Sequence, residues 1–203
     1  MNVVRAELSK LRTLPIAVLT IAGTVAVAAL IAAAQWRSDQ PVDVVPYAQA
    51  GFVLLGILPV AHEHAGRQFS TTLVAVPARG KLLVAKTTAA FVTIAITAAA
   101  TAVLQPERPV GAAAYLTLIG LFAYAVALLV RHLVPALVGT LCLILILSPL
   151  LNAATEHARW LPDRAAAELY QPDGDLLRGG LVAVAWIVVT GAVATARFLR
   201  RDV

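Results

Sequence analysis

The sequence predicts an all-α integral membrane protein with six transmembrane helices. Of its 203 residues, 60% are hydrophobic and only 13% are charged, and the mean hydropathy is +0.84. The apolar residues fall into six runs near the roughly 20 residues that a helix needs to cross a bilayer. These runs are continuous and rich in Ala, Leu and Val. Barrel strands would instead alternate over about 10 residues, so helices are the better interpretation.

The six predicted spans leave no segment large enough for a separate soluble core, so we expect one transmembrane domain over residues 1–203. The turns Gln105–Pro109 and Arg131–His132 are short, which predicts that spans three, four and five are antiparallel neighbours. The last span is short, and we expect it to extend to Leu176 or Leu199. The predicted spans are Leu14–Gln35, Val44–Ala61, Thr87–Leu104, Val110–Val130, Leu133–Leu151 and Gly179–Ala196.

Residues 1–13 have the pattern of an amphipathic helix that lies in the membrane interface. Val4, Leu8 and Leu11 fall on one helical face, whereas Arg5 and Arg12 fall on another. The alternative is a solvated basic leader that only fixes the topology.

The basic residues predict the orientation. If the N-terminus is cytosolic, eleven of the sixteen Lys and Arg lie on the cytosolic side, together with only three of the eleven acidic residues. We therefore expect a multi-pass membrane protein with both termini in the cytosol. The net charge of +5 is then explained by this topology and by attraction to anionic lipid headgroups. We expect no nucleic-acid partner.

Ionisable residues are absent from the six spans as bounded above. Proton-coupled carriers and intramembrane metalloproteases keep such groups at depth, so both classes are disfavoured. His62 and His64 flank Glu63, but a His-Glu-x-x-His zinc motif would need a histidine where Gly66 stands. Residues two apart also lie on nearly opposite faces of a helix, so we expect no metal site.

The polar passage after the second span and the C-terminal tail contain a distinctive set of residues. They are Glu63, Gly66, Thr72-Leu73, Pro77, Arg79-Gly80, Ala85-Lys86 and Arg200-Arg201-Asp202. With these residues the passage resembles the cytosolic segment between spans two and three of type-2 ABC transporter permeases (the ABC-2 membrane-domain family). The basic leader is similar to the family's elbow helix, and the tail is similar to the actinobacterial-type ending Arg-Arg-Asp, which implies the bacterial plasma membrane.

The resemblance implies a permease subunit whose energy comes from two copies of a separate ABC ATPase, which would bind ATP-Mg. The chain has no G-x-x-x-x-G-K-S/T phosphate loop of its own, so we expect no catalysis and no bound cofactor. A second permease copy, identical or similar, is expected to pair through spans one and five.

In such permeases the segment after span two forms a coupling helix on the ATPase, which corresponds here to residues 62–86. Glu63 and Arg67 are spaced for an i,i+4 pair on a short helix. Plain positive-inside anchoring is an equal alternative for the cations at the end of the segment. The resemblance places the ATPase contact at Glu63, Gly66, Arg67, Thr72 and Leu73, and the headgroup or partner anchors at Arg79, Lys81 and Lys86.

The stretch 152–178 is long for a simple connection, and in the family this region forms short extracellular helices that cap the path. We expect a short helix with Asp163, Arg164 and Glu168 toward water. Trp160 and Tyr170 are predicted interfacial anchors, with substrate contact as the alternative.

The predicted function is an ATP-driven exporter permease for an amphipathic, lipid-like, antibiotic or peptide substrate, since the path carries no fixed charge. Two alternatives stay open: a membrane scaffold or assembly subunit without transport, and an ion-coupled secondary carrier. A requirement for an ion gradient would identify the carrier.

Overall fold

The computed structural model describes residues 3–38, 43–65, 79–105 and 107–200, and every regular element in these ranges is helical. The predicted all-α class is confirmed, as is the presence of six helices long and apolar enough to cross a membrane. The helices are α1 (Val3–Thr13), α2 (Pro15–Ser38), α3 (Val45–Ala65), α4 (Arg79–Ala102), α5 (Pro109–Val130), α6 (Leu133–Ala154), α7 (Pro162–Ala167) and α8 (Leu176–Arg200).

Most of the long helices extend beyond the apolar runs that predicted them, and α4 and α8 extend furthest. α4 begins at Arg79 instead of Thr87, and α8 runs from Leu176 to Arg200. Basic side chains at helix ends can lay their aliphatic stems along apolar surface and keep their charge at the interface. The helical hydrogen bonding therefore continues past the point where hydropathy falls.

α3 and α5 form the centre of the bundle. The apolar window of α3 is 61% buried and that of α5 is 50% buried, against 11% for α8. α2 and α6 pack on α3, whereas α4 and α8 pack mainly on α5. The outward faces of α2, α6 and α8 remain covered with exposed Leu, Ile and Val side chains.

The two central helices approach each other closely at a pair of glycines. A Cβ atom added to Gly56 on α3 would lie 2.2 Å from the carbonyl oxygen of Gly120 on α5. Small residues permit this distance between helix backbones, which is the usual way to gain contact area where no hydrophobic effect operates.

The hydroxyl groups of threonines in the spans donate hydrogen bonds to backbone carbonyls of the same helix. Their Oγ1 atoms donate to the carbonyl four residues earlier at 2.7 to 2.9 Å, which leaves no polar group facing hydrocarbon at these positions. The residues are Thr20, Thr24, Thr93, Thr97, Thr101 and Thr140.

α6 is interrupted in its middle by a π turn over Leu143–Leu147. Pro149 follows the turn, and a proline removes one helical N–H and clashes with the carbonyl of the preceding turn. A π turn is a known way for a helix to absorb such a misfit. Immediately after it stands Ser148, which is fully buried.

The bundle has two distinct ends, which we name by what lies there. The α1 end holds α1, Lys86 and Arg131. The opposite end holds the connection between α6 and α8, residues 155–175, which we call the cap. The cap contains a 3-10 helix (Glu156–Trp160) and α7.

Candidate functional site

The predicted coupling segment, residues 62–86, overlaps the end of α3 and the beginning of α4. Glu63 belongs to the last turn of α3, and Arg79 and Lys81 belong to the first turn of α4. The side chains of these three residues are outside the described part of the structure, and so are the other predicted contact residues, Gly66, Arg67, Thr72 and Leu73.

Lys86 is the predicted anchor whose side chain the structure places in detail. Its Nζ atom donates to Oε2 of Glu7 on α1 at 3.2 Å, and each of the two side chains is only 13% exposed. α1 packs along the first half of α4, so this ion pair links the N-terminal helix to the helix that follows the predicted coupling segment. Sequence analysis did not find Glu7, because 79 residues separate it from Lys86.

A cavity of about 40 Å³ adjoins this ion pair and lies between α1, α3, α4 and α5. Its wall is mainly aliphatic, with five leucines, and Thr87 lies beside it with its Oγ1 atom 3.4 Å from the hydroxyl of Tyr124. The polar and charged residues among those that line it are Glu7, Lys10, His62, Lys86, Tyr124 and Arg131.

The cap is attached to α6 by a buried polar cluster. Ser148 Oγ donates to Oδ2 of Asp163 on α7 and accepts a hydrogen bond from Nε of Arg164 at 3.1 Å. Asp163 is only 5% exposed, and this burial raises the pKa of its carboxyl group, while Ser148 and Arg164 act in the opposite direction. Ser148 therefore holds α7 against the π-turned helix.

A second polar group joins the cap to the beginning of α3. Asp43 accepts a hydrogen bond from the backbone N–H of Val45 at 3.0 Å, and its carboxylate also bonds Gln105 and Tyr170. Burial raises the pKa of Asp43, and burial together with the Asp43 charge raises the pKa of Tyr170 to about 12.

Tyr170 reaches the core through its ring. Its centroid lies 5.1 Å from that of Tyr115 on α5, in an edge-to-face arrangement. The buried hydroxyl of Tyr115 in turn donates to Oε1 of Gln49 at 2.6 Å. The predicted anchor Tyr170 is thus part of a polar chain that crosses from the cap to α3.

The expectation that Asp163 and Glu168 face water was wrong. Both are buried, with 5% and 8% exposure. Glu168 forms an ion pair with Arg178 on α8, as Asp163 bonds Ser148 on α6, so each carboxylate turns toward a partner on a spanning helix. A helical wheel of the segment cannot indicate these partners.

Arg108, which precedes α5, bonds the C-terminal part of the cap. Its guanidinium donates to the carbonyl oxygens of Gln171 and Pro172, both at 2.7 Å. Arg108 has φ 47°, a left-handed conformation that is unfavourable for a side chain with a Cβ atom. The two charge-assisted hydrogen bonds offset that strain.

Trp160, the other predicted anchor, lies at the surface of the cap and is 48% exposed. Its carbonyl accepts a hydrogen bond from the indole of Trp186 on α8 at 2.8 Å, and the guanidinium of Arg159 lies 5.9 Å from its ring centroid. An exposed indole above an apolar helix is typical of the membrane interface.

In the described ranges, no three His, Cys, Asp or Glu side chains come together in a way that could hold a metal ion. Cys142 is exposed on α6 and carries a free thiol. The polar clusters at the two ends join helices to one another: the ion pair between Glu7 and Lys86 joins α1 to α4, and hydrogen-bonded carboxylates attach the cap to the spanning helices.

Comparison of the chain with protein-family models, with curated proteins and with solved structures gives no match.

Proposed function

We propose that this chain is the membrane-spanning permease subunit of an ATP-driven exporter of the type-2 ABC class, and that the energy comes from a separate ATPase with ATP-Mg. The observation that carries the proposal is the position of the polar segment after α3. Both ends of this segment lie at the same end of the bundle as α1. The ion pair between Glu7 and Lys86 joins α1 to α4 where the segment ends.

The arrangement suits mechanical coupling. A force on the segment acts on the last turn of α3 and the first turn of α4, since these helices hold its two ends. α1 would move together with α4, because Lys86 on α4 holds the Glu7 carboxylate of α1 at 3.2 Å. In this proposal the α1 end faces the cytosol, and Glu63, Gly66, Arg67, Thr72 and Leu73 contact the ATPase.

A second permease copy, identical or similar, would pair through α2 and α6. Both helices flank α3, and only 28% and 22% of their apolar windows are buried. The cap, held by Ser148, Asp43 and Arg108, would close the outer end of the path. An amphipathic or lipid-like cargo fits a route without fixed charge at mid-depth.

An affinity pull-down with mass spectrometry tests this function. The detergent-solubilised wild type is compared with the double variant Glu63→Ala/Arg67→Ala and with the control Glu156→Ala/Arg159→Ala, which removes the same charges from exposed positions on the cap. We expect a soluble ATPase with the wild type and the control, and its loss with the double variant.

Two other results would count against the proposal. Absence of an ATPase from the wild type in mild detergent would contradict the function itself. Equal recovery with all three proteins would leave the function standing and contradict the contact at Glu63 and Arg67.

An ion-coupled carrier is the second candidate, and the buried carboxylate of Asp163 and the half-buried carboxylate of Asp43 favour it. Each has a raised pKa because of burial, as proton-accepting groups of carriers often do. Uptake or efflux in proteoliposomes that requires a proton gradient and no ATP would support the carrier over the exporter.

A further inference from the structure

Asp163 is a carboxylate that the cap keeps almost entirely out of water, and its two oxygens have different surroundings. The residue is only 5% exposed. Oδ2 accepts the hydrogen bond from Ser148 Oγ, whereas Oδ1 is buried and has no hydrogen-bond partner among the described residues. An ionised oxygen in such a position loses its hydration without a replacement. Oδ1 is therefore the atom of Asp163 that can bind a further ligand without displacing an existing hydrogen bond.

The positive charge beside Asp163 compensates the carboxylate only in part. Nε of Arg164 lies 3.7 Å from Oδ2 and bonds Ser148, and the Arg164 side chain is 31% exposed. Burial has the largest effect on the Asp163 carboxyl group and raises its pKa above the ordinary value of 3.8. Ser148, Arg164 and the backbone N–H groups at the start of α7 lower the pKa, but burial outweighs them. The fold therefore favours the neutral carboxyl group more than the unfolded chain does.

The other charged and titratable groups around α7 belong to the cap itself and to the elements packed against α7, which are α5, α8 and the 3-10 helix. The phenols of Tyr115 on α5 and Tyr170 in the cap interact electrostatically with Asp163. Among the described groups, Arg164 alone lowers the pKa of Asp163 through a positive charge. The remaining groups are the ion pair of Glu168 with Arg178, the half-buried Asp43, and the exposed Glu156, His157 and Arg159.

A proton suits this site better than a metal ion does. Hard metal cations take about six or more oxygen ligands, whereas a proton needs one lone pair, which Oδ1 provides. The partly exposed side chain of Arg164 lies beside the carboxylate, so the site is just below the surface of the cap. A proton can therefore reach it from water without crossing the hydrocarbon of the bilayer.

We infer that Asp163 is a proton-binding site of the cap, with the proton on Oδ1 and the hydrogen bond from Ser148 retained on Oδ2. Uptake of the proton removes a buried charge and stabilises the folded cap. π turns are frequent at functional sites, and Ser148 directly follows the π turn of α6. The site depends neither on the proposed ATPase partner nor on transport.

Infrared spectroscopy tests the site directly, because a protonated carboxyl group has a C=O stretching band that a carboxylate lacks. Difference spectra of the purified protein are recorded between about pH 4 and about pH 8. The wild type should show a protonated-carboxyl band that persists above pH 3.8 and is lost as the pH rises further. Asp163→Asn should lack this band. Asp173→Asn, which removes an exposed carboxylate from the same cap, should retain it.

The same proton should affect thermal stability. Because the pKa is raised in the folded protein, the stabilisation is fully present below pH 3.8 and is lost as the pH rises through the folded-state pKa. The unfolding midpoint of the wild type should therefore fall relative to that of Asp163→Asn as the pH rises, whereas its difference from Asp173→Asn should stay nearly constant. If Asp163→Asn does not fold, Ser148→Ala provides the test. It removes a hydrogen bond that lowers the pKa of Asp163, so the band should persist to higher pH.

Three outcomes would overturn the inference. One is a band that disappears at the ordinary pKa of a carboxyl group. Another is a band that is unchanged in Asp163→Asn, which would assign the proton to a different carboxyl group, such as that of Asp43. The third is a band whose pH midpoint falls when Na⁺ replaces choline at constant ionic strength, which would identify a metal-ion site. None of these outcomes involves the ATPase, so they are separate from a failure of the proposed function.

Discussion

Ser148 and Asp163 lie 15 residues apart and on different helices, yet the hydroxyl of the first donates to the carboxylate of the second. Both residues are buried, so the contact has no competition from water. It attaches α7 of the cap to α6 immediately after the π turn.

Replacement of this hydroxyl should loosen the cap. Ser148→Ala removes the hydroxyl that both Asp163 Oδ2 and Arg164 Nε bond, and a buried polar group that loses a hydrogen bond costs about 1–3 kcal/mol. The unfolding free energy from titration with a denaturing detergent measures the change. Thr88→Ala is the control: its exposed hydroxyl bonds only the carbonyl of Val84, so we expect a change within about 0.5 kcal/mol. Equal effects would contradict a specific role of Ser148.

The glycine contact between α3 and α5 predicts a second effect on stability. Gly56→Ala forces a Cβ atom against the backbone of Gly120, and overpacking of this kind costs about 1–3 kcal/mol. Gly23→Ala on α2 has open space around the new methyl group, so the alanine should be neutral or stabilise the helix by up to about 1 kcal/mol. Gly56→Ala should therefore lower the thermal unfolding midpoint and Gly23→Ala should leave it unchanged or raise it, and a destabilised Gly23→Ala protein would contradict this.

Tyr170 predicts a loss of stability at alkaline pH. Burial raises its pKa from 10.0 to about 12, and the charge of Asp43 adds to the effect. The fold thus favours the neutral phenol: this contribution is fully present below pH 10 and is lost as the pH rises toward 12. Tyr170→Phe has no phenol to ionise and should lose less stability in this range.

Unfolding midpoints of the two proteins between pH 8 and about pH 12 provide the measurement. Tyr47→Phe serves as the control because Tyr47 is 58% exposed. If Tyr170→Phe follows the wild type over the whole range, the phenol ionises in the folded protein as it does in the unfolded chain, and the polar chain at the cap has no such effect.

Because Glu7 and Lys86 form an ion pair, a double variant that exchanges the two charges should preserve the attraction between the two side chains. Each single replacement, Glu7→Lys or Lys86→Glu, places like charges at a separation of 3.2 Å and should destabilise the protein. The double exchange should recover part of the loss. The pair is largely buried, so we expect a coupling between about 1 and 3 kcal/mol in a double-mutant cycle, above exposed pairs and below fully buried ones. Additive single effects would show that α1 is not held through this pair.

The spans could be predicted from the sequence because bilayer thickness imposes a length of apolar chain. Hydropathy found all six, but it placed the start of α4 at Thr87, since it cannot recognise that a helix continues through Lys81 and Lys86. Lys86 is accommodated within the helix because its charge is paired with Glu7 on α1, a contact that hydropathy does not count.

The polar contacts of the cap were beyond prediction from the sequence. Asp163 and Glu168 were predicted to face water because a helical wheel places them away from Leu161, Ala165 and Leu169. Their partners, Ser148 and Arg178, belong to spanning helices, and no local pattern relates them. The one available signal was the Ser-Pro pair within the fifth span, where a polar residue precedes a helix-breaking one.

The π turn at Leu143–Leu147 lets α6 lose one residue at this place without a change in the direction of Ser148. A π turn is equivalent to one additional residue in an α-helix, and each residue of an α-helix turns the chain by about 100°. Deletion of one residue from this stretch would restore a regular helix and leave Ser148 facing Asp163, because it removes only the residue that the wider turn accommodates. The same deletion in the middle of α5, a regular helix from Pro109 to Val130, would rotate the following turns by about 100°. The attachment of the cap therefore tolerates a change of length in α6 that the central helix does not.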